Sequence, residues 1–310
     1  MASQKVQIQG ALHSSSLRSS KLHLIPQNLC ALNLKLFSLP LTIREKMIRI
    51  TDIIDKIYDY YPDADMDIVD RAYIYSAKVH DGQLRLSGEP YLSHPLEVAS
   101  ILSDMRLDTT SIACGLLHDV VEDTHSTIED IEGLFGMDAA KIIEGVTKIS
   151  SLSFNTAEAR QAGNIRKMIL AMAEDIRVIL IKLADRLHNI RTLHYHKKEE
   201  KKKLIAQETL DIYSPIAARL GIYWIKRELE EISFFYTNPE EHEKIKQLVS
   251  TNQADREYYV QEVKNSISDI LNHAKMECSV GGRFKQFYSI YQKMVAQKLE
   301  FEQVYDIIAF

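Results

Sequence analysis

The stretch GLLHDVVEDT, residues 115–124, sets His118, Asp119, Glu122 and Asp123 close together, directly behind the apolar run SIACGLL. Helix interiors disfavour Asp, and crowded ionisable groups repel or compete for protons unless something positive joins them. A bound cation resolves that conflict, and so does exposure to water. A cation needs further ligands from elsewhere in the chain, and two candidates stand out. His94, in SGEPYLSHPLEV, follows a Gly/Pro loop and opens a helix with Pro95 in its first turn. Asp185, in LIKLADRLHNIRT, interrupts a helix that is otherwise apolar on that side, where a carboxylate buried without a partner is costly. His118 and Asp119 stand about 100° apart around a helix, so an ion at the edge between their faces can meet both. Two imidazoles and two carboxylates suit a borderline divalent ion such as Mn²⁺, Fe²⁺ or Zn²⁺ with room left for water. Such an ion makes water acidic enough to attack near neutral pH. Glu122 and Asp123, one turn beyond His118 and Asp119, are then groups that orient or deprotonate that water.

The elements that must carry these residues are helices. From about Arg44 to Ala274, apolar positions recur at three and four residues in IRITDIIDKIYDY, DIVDRAYIYSAKVH, HPLEVASILSDM, TTSIACGLLHDVV and IRKMILAMAEDIRVILIKLADRLHNI. Turn-forming stretches separate them: HDGQLRLSGEPYLSHP, DTHST, LFGMD, FNTAEARQAGN and TNPEE. The pattern predicts a bundle of ten or so helices. Near Glu277 the character changes, and ECSVGGRFKQFYSIYQKM with LEFEQVYDIIAF reads as strand, helix, strand. Residues 276–310 look like the first slice of a second, α/β domain.

Composition narrows the function classes. With 310 residues, 45% apolar and 26% charged, the chain can bury a substantial core and has the make-up of a globular protein. No window approaches the roughly 18–20 apolar residues of a spanning helix, which argues against a membrane protein. Cys30, Cys114 and Cys278 are scattered and odd in number, so they predict neither a zinc site nor a disulfide framework and fit a reducing compartment. A net charge of −5 argues against a general nucleic-acid binder. The run HKKEEKKKL at 196–204 has mixed charge at helical spacing, the mark of a solvated face. Residues 1–44 hold five of the 38 basic residues and none of the 43 acidic ones, and they are rich in serine. That profile fits an organellar transit peptide or, more simply, an unstructured extension before a cytoplasmic domain that begins near Met47.

The motifs themselves resemble a known family. RAYIYSAKVHDGQLRLSGEPYLSHPLEVASIL, GLLHDVVEDT, VTKIS and ILIKLADRLHNIRTL are similar, in order and spacing, to the hydrolase blocks of the RelA/SpoT enzymes. Those enzymes make and destroy the alarmone (p)ppGpp. The resemblance implies an all-α, HD-domain helical bundle over residues 45–275, after an extension at 1–44. It also implies that 276–310 is a short β-α-β piece of an incomplete, nucleotidyltransferase-like synthetase domain. Carried over by position, it makes His94, His118, Asp119 and Asp185 the Mn²⁺ ligands and Glu122 and Asp123 the pair that activates water. Arg85 and Ser87 then belong to the loop that receives the guanine nucleotide, and Asn189 and Thr192 contact its ribose and phosphates. Asp185, Asn189 and Thr192 share a helix face, which supports that placement. Leu86 departs from the pattern, standing where the family commonly has lysine.

The implied activity is hydrolysis of the 3′-diphosphate of (p)ppGpp to GDP or GTP and pyrophosphate. Lys148 and Arg166 are candidates to face the polyphosphate, and His80, just before the loop, is a weaker candidate to support the site from behind, while His188 is expected to point elsewhere on its helix. The residues that the family's synthetase uses for its own metal and general base would lie beyond Phe310, and ribosome association would need further C-terminal regions. Two alternatives remain: an HD-type phosphohydrolase of another nucleotide, and a non-catalytic module that senses the alarmone.

Overall fold

The computed structural model describes residues 48–150, 174–250, 253–276, 278–304 and 306–309. The extension at 1–44 and Arg166 lie outside the described residues. Among the described residues the chain is mostly helical. Its helices are α1 (Ile50–Tyr60), α2 (Asp67–Val79), α3 (Ser93–Asp104), α4 (Thr109–Leu117), the single turn α5 (Val120–Asp123), α6 (Ile128–Phe135) and α7 (Met137–Ser150). After residue 173 come α8 (Ile176–Arg191), α9 (Glu199–Glu208), α10 (Ser214–Arg219), α11 (Tyr223–Thr237), α12 (Pro239–Ser250) and α13 (Gln253–His273). No described helix is long and apolar enough to cross a membrane.

Local chemistry sets several of these boundaries. Asp108 caps α4 by accepting from the Ser111 amide at 2.6 Å, and Asp175 caps α8 through the Arg177 amide at 2.8 Å. Thr127 and Asp130 cap α6 reciprocally, and Gly136, at φ +86°, ends that helix in a conformation other residues rarely adopt. Between α9 and α10 the chain widens into a π-turn at Thr209–Tyr213. Pro215 follows one residue later, in the first turn of α10; it has no N–H for the α-helical ladder, and the wider turn absorbs the defect.

The core separates two kinds of helix. In α1 only Ile53 and Ile57 are buried, a narrow stripe on an otherwise wet helix. By contrast α3 is buried from Ser93 to Ser103 with one exception, and α4 from Ser111 to Leu117, so both run through the interior. Helix α8 joins them, packing on α3, while α2 and α7 cover α4. A smaller cluster of Phe234, Ile245, Ile290 and Phe301 ties α11 and α12 to the C-terminal stretch. That stretch holds helix α14 (Phe287–Gln297) between β1 (Arg283–Phe284) and β2 (Ile308–Ala309), which pair antiparallel. Strands of two residues each do not amount to an α/β domain.

Gly115 fixes how closely α3 and α4 approach. A Cβ at this position would lie 2.5 Å from Leu102 Cδ1 and 3.6 Å from the Ala99 Cα. Leu102 is fully buried and has little room to retreat. We expect Gly115→Ala to cost about 1–3 kcal/mol by overpacking, reduced by roughly 1 kcal/mol of helix propensity. Urea unfolding should therefore show a net loss of up to about 2 kcal/mol, and a variant more stable than the unaltered chain would refute the close approach.

Candidate metal centre

Three helix ends and one helix middle bring the predicted ligands together. His94 sits in the first turn of α3, His118 caps the C-terminus of α4, Asp119 opens the short α5, and Asp185 lies midway along α8. The helix expected to run unbroken through residues 115–124 instead breaks at His118–Asp119, although both keep right-handed helical dihedrals. His94 Nε2 lies 3.2 Å from His118 Nε2, 3.4 Å from Asp119 Oδ2 and 3.3 Å from Asp185 Oδ1. His118 Nε2 lies 3.1 Å from Asp119 Oδ1 and 3.9 Å from Asp185 Oδ1. His94, His118 and Asp185 are buried, and Asp119 nearly so.

The hydrogen-bond polarity around this cluster is fixed by groups with one possible role. The Gly115 carbonyl only accepts, so His118 Nδ1 donates to it at 2.8 Å and the uncharged ring carries its lone pair on Nε2. His188 Nδ1 lies 3.0 Å from Arg85 Nη1, which only donates, so that nitrogen is an acceptor. His94 Nδ1, 2.6 Å away, must therefore donate to it, leaving His94 Nε2 as a second lone pair aimed at the first. Two lone pairs facing two carboxylate oxygens call for a cation at their centre, and the donor set fits a divalent one. Together, His94, His118, Asp119 and Asp185 would hold it.

Electrostatics agree. Burial alone pushes His118 down, but Asp119 and then Asp185 reverse this and lift the imidazole to about 9, so a proton and a metal compete for one place. Burial raises the carboxyl of Asp119, yet the facing histidines hold it well below the carboxylate range. Asp185 is likewise opposed by burial and held down chiefly by Lys182, whose Nζ is 2.8 Å from Oδ2. Burial, with His94 and Arg85 beside it, lowers His188 to about 2, which keeps that ring neutral.

The other predicted residues surround the centre unevenly. Glu122 and Asp123 are exposed on α5, one turn past the ligands. Arg85 is held by a hairpin-like turn in which Leu84 bridges Pro90, and Gly88 supplies the φ of +85° that the turn requires. From there it reaches α8, donating to Asn189 Oδ1 at 3.2 Å, and Asn189 Nδ2 donates to Asp185 Oδ1 at 2.5 Å. Among the described residues Ser87 bonds within the turn, to Glu89 at 3.3 Å, and Leu86 is exposed. Thr192 closes α8 and gives its hydroxyl to the His188 carbonyl at 3.0 Å. Lys148 is exposed and paired with Glu144 at 2.7 Å.

Three neighbours of the centre went unpredicted. His188 was expected to point away, yet three residues of helix turn 300°, leaving it only about 60° from Asp185. Lys182, at the same spacing on the other side, is the buried counter-charge; a lone lysine in that apolar helix was its only trace in sequence. Tyr91 donates to Asp119 Oδ2 at 2.8 Å, also bonds Asp123 Oδ2, and stacks on His80 at 4.5 Å. Its phenol is kept neutral by burial and by the two carboxylates.

The HD domain family matches residues 72–223, which hold all four converging side chains. A Myxococcus xanthus protein named GTP pyrophosphokinase is 53% identical over 82% of this chain and 34% of its own length. The Escherichia coli protein named bifunctional (p)ppGpp synthase/hydrolase SpoT is 46% identical over 82% of this chain and 36% of its own. A solved structure described as a metazoan ortholog of SpoT that hydrolyzes ppGpp is 32% identical, covering 47% of this chain and 84% of that one, with a TM-score of 0.39. The chain spans about a third of the length of the curated relatives it matches. With an HD domain in place and identities of this order over most of its residues, the chain belongs to the RelA/SpoT family.

Proposed function

We propose that this chain hydrolyses the 3′-diphosphate of (p)ppGpp, releasing pyrophosphate and GDP or GTP, with Mn²⁺ at the His94–His118–Asp119–Asp185 centre. The observation that carries the reading is the convergence of those four side chains within hydrogen-bonding distances, beside the exposed acids Glu122 and Asp123. A divalent ion at that centre supplies Lewis-acid polarisation of a phosphoryl oxygen and makes water more acidic. The residues do the rest. Glu122 orients the attacking water and takes its proton, as an exposed carboxylate beside the centre can. Asp123, tethered to Tyr91, would help orient the same water. Arg85 and Ser87 receive the nucleotide at the loop, and Asn189 and Thr192 meet its ribose and phosphates from α8. The relatives named for synthesis or hydrolysis of this alarmone support the choice of substrate.

In this reading residues 1–44 are an extension, 45–275 the hydrolase domain, and 276–310 the start of a synthetase domain. Lys285 and Lys293, both bonded to Asp306, would belong to that second domain. The test is to incubate the purified chain with Mn²⁺ and ppGpp and measure pyrophosphate. Release that requires the ion is expected. Turnover of another nucleotide but not ppGpp would replace the substrate, and no turnover of any nucleotide would leave a binding module.

A further inference from the structure

Arg85 is placed in the nucleotide loop by the reading above, yet its guanidinium spans two residues that each hold a different metal ligand. Nη1 donates to His188 Nδ1 at 3.0 Å, and the same nitrogen accepts from His94 Nδ1 at 2.6 Å. Nη2 donates to Asn189 Oδ1 at 3.2 Å, and Asn189 donates to Asp185 Oδ1 at 2.5 Å. One planar fork therefore ends two relays, and both relays end on the same centre. The distance in sequence is large, 103 residues to His188 and 104 to Asn189, so the contact exists only because the loop folds onto α8.

We infer that Arg85 is a positioning residue for the metal centre, setting the hydrogen-bond polarity of His94 through His188 and that of Asp185 through Asn189. A guanidinium can only donate, so the polarity runs outward from Arg85, with Arg85 and His94 sharing the bare Nδ1 of His188. Facing Nη2, Asn189 must turn its carbonyl toward Arg85, which aims its amide hydrogens at Asp185. Facing Nη1, His188 must present a bare Nδ1, which obliges His94 to carry its hydrogen on Nδ1 and its lone pair on Nε2, where the ion is expected. Without Arg85, the amide of Asn189 and the ring of His188 each lose one of the contacts that fix their direction, which loosens their hold on Asp185 and His94. Lysine does not replace the fork, since one ammonium cannot hold both planar acceptors in fixed directions. The loop at 81–92 thus organises the centre before any nucleotide arrives.

This inference rests on the proposed metal-dependent reading, and the sign of one measurement separates it from simple charge. Removing a cation from beside a metal site should tighten metal binding by Coulomb's law. Removing a positioning residue should weaken it, by about 10–100-fold for partners of metal ligands. The experiment is Mn²⁺ affinity without nucleotide, read from the EPR signal of the free ion, for the full chain and for Arg85→Ala, Arg85→Lys and Asp119→Ala. We expect Arg85→Ala to bind Mn²⁺ at least about tenfold more weakly, and Arg85→Lys to fall between it and the unaltered chain. Unchanged or tighter binding by Arg85→Ala would overturn the inference while leaving the centre intact. If Asp119→Ala binds as well as the unaltered chain, the centre itself is misread and the inference falls with it.

Discussion

Replacing Asp119 with alanine is expected to remove both the ion and the turnover. Its two oxygens face His118 at 3.1 Å and His94 at 3.4 Å, whereas Asp185 approaches His94 at 3.3 Å but His118 only at 3.9 Å. It also receives the Tyr91 phenol, so its loss unties Tyr91 from the centre. Losing a partner of a ligand costs about 10–100-fold in affinity, and losing a ligand costs more. We therefore expect Mn²⁺ binding to weaken by more than about a hundredfold. Pyrophosphate release should fall by at least roughly a thousandfold, the scale of several kcal/mol of charge stabilisation. Elemental analysis alongside the turnover assay checks both halves. A variant that keeps its metal and its rate would show that Asp119 is not a ligand.

Glu122→Ala should part those two readouts. Glu122 is exposed on α5 and lies beyond the converging atoms, so its removal should leave the ion bound. Surface changes of this kind usually move stability by no more than about 0.5 kcal/mol, so the melting temperature should hold. The rate is another matter, because a positioned general base contributes about 10²–10⁴-fold. We expect kcat to fall within that range with metal content unchanged. Full activity would remove Glu122 from the chemistry, and loss of the ion would make it a ligand.

Much of this was legible in the chain because it depends on short-range periodicity. The helices follow from apolar spacing, and the pairing of Asp185 with Asn189 follows from one turn of helix. The side-chain types at 94, 118, 119 and 185 pointed to a cation because buried acids need a counter-charge. What stayed hidden depends on how the loop and helices meet. No local pattern announces that Arg85 will reach α8, or that Tyr91 will bridge Asp119 and Asp123 across the turn at 118–119. His188 departs from expectation for a simpler reason: three residues along a helix leave it only about 60° from Asp185, on the same side. The break between α4 and α5 was equally silent, since both residues at the break keep helical dihedrals and leave no glycine or proline to mark it.

The central claim is that four side chains from separate helices close on a single divalent ion. An anomalous difference map from a crystal soaked in Mn²⁺ tests it without reference to activity. One peak is expected, at or slightly beyond the roughly 2.0–2.2 Å typical of zinc, from the Nε2 atoms of His94 and His118 and from an oxygen each of Asp119 and Asp185. An empty centre at saturating Mn²⁺, or a peak held by other residues, would contradict the account.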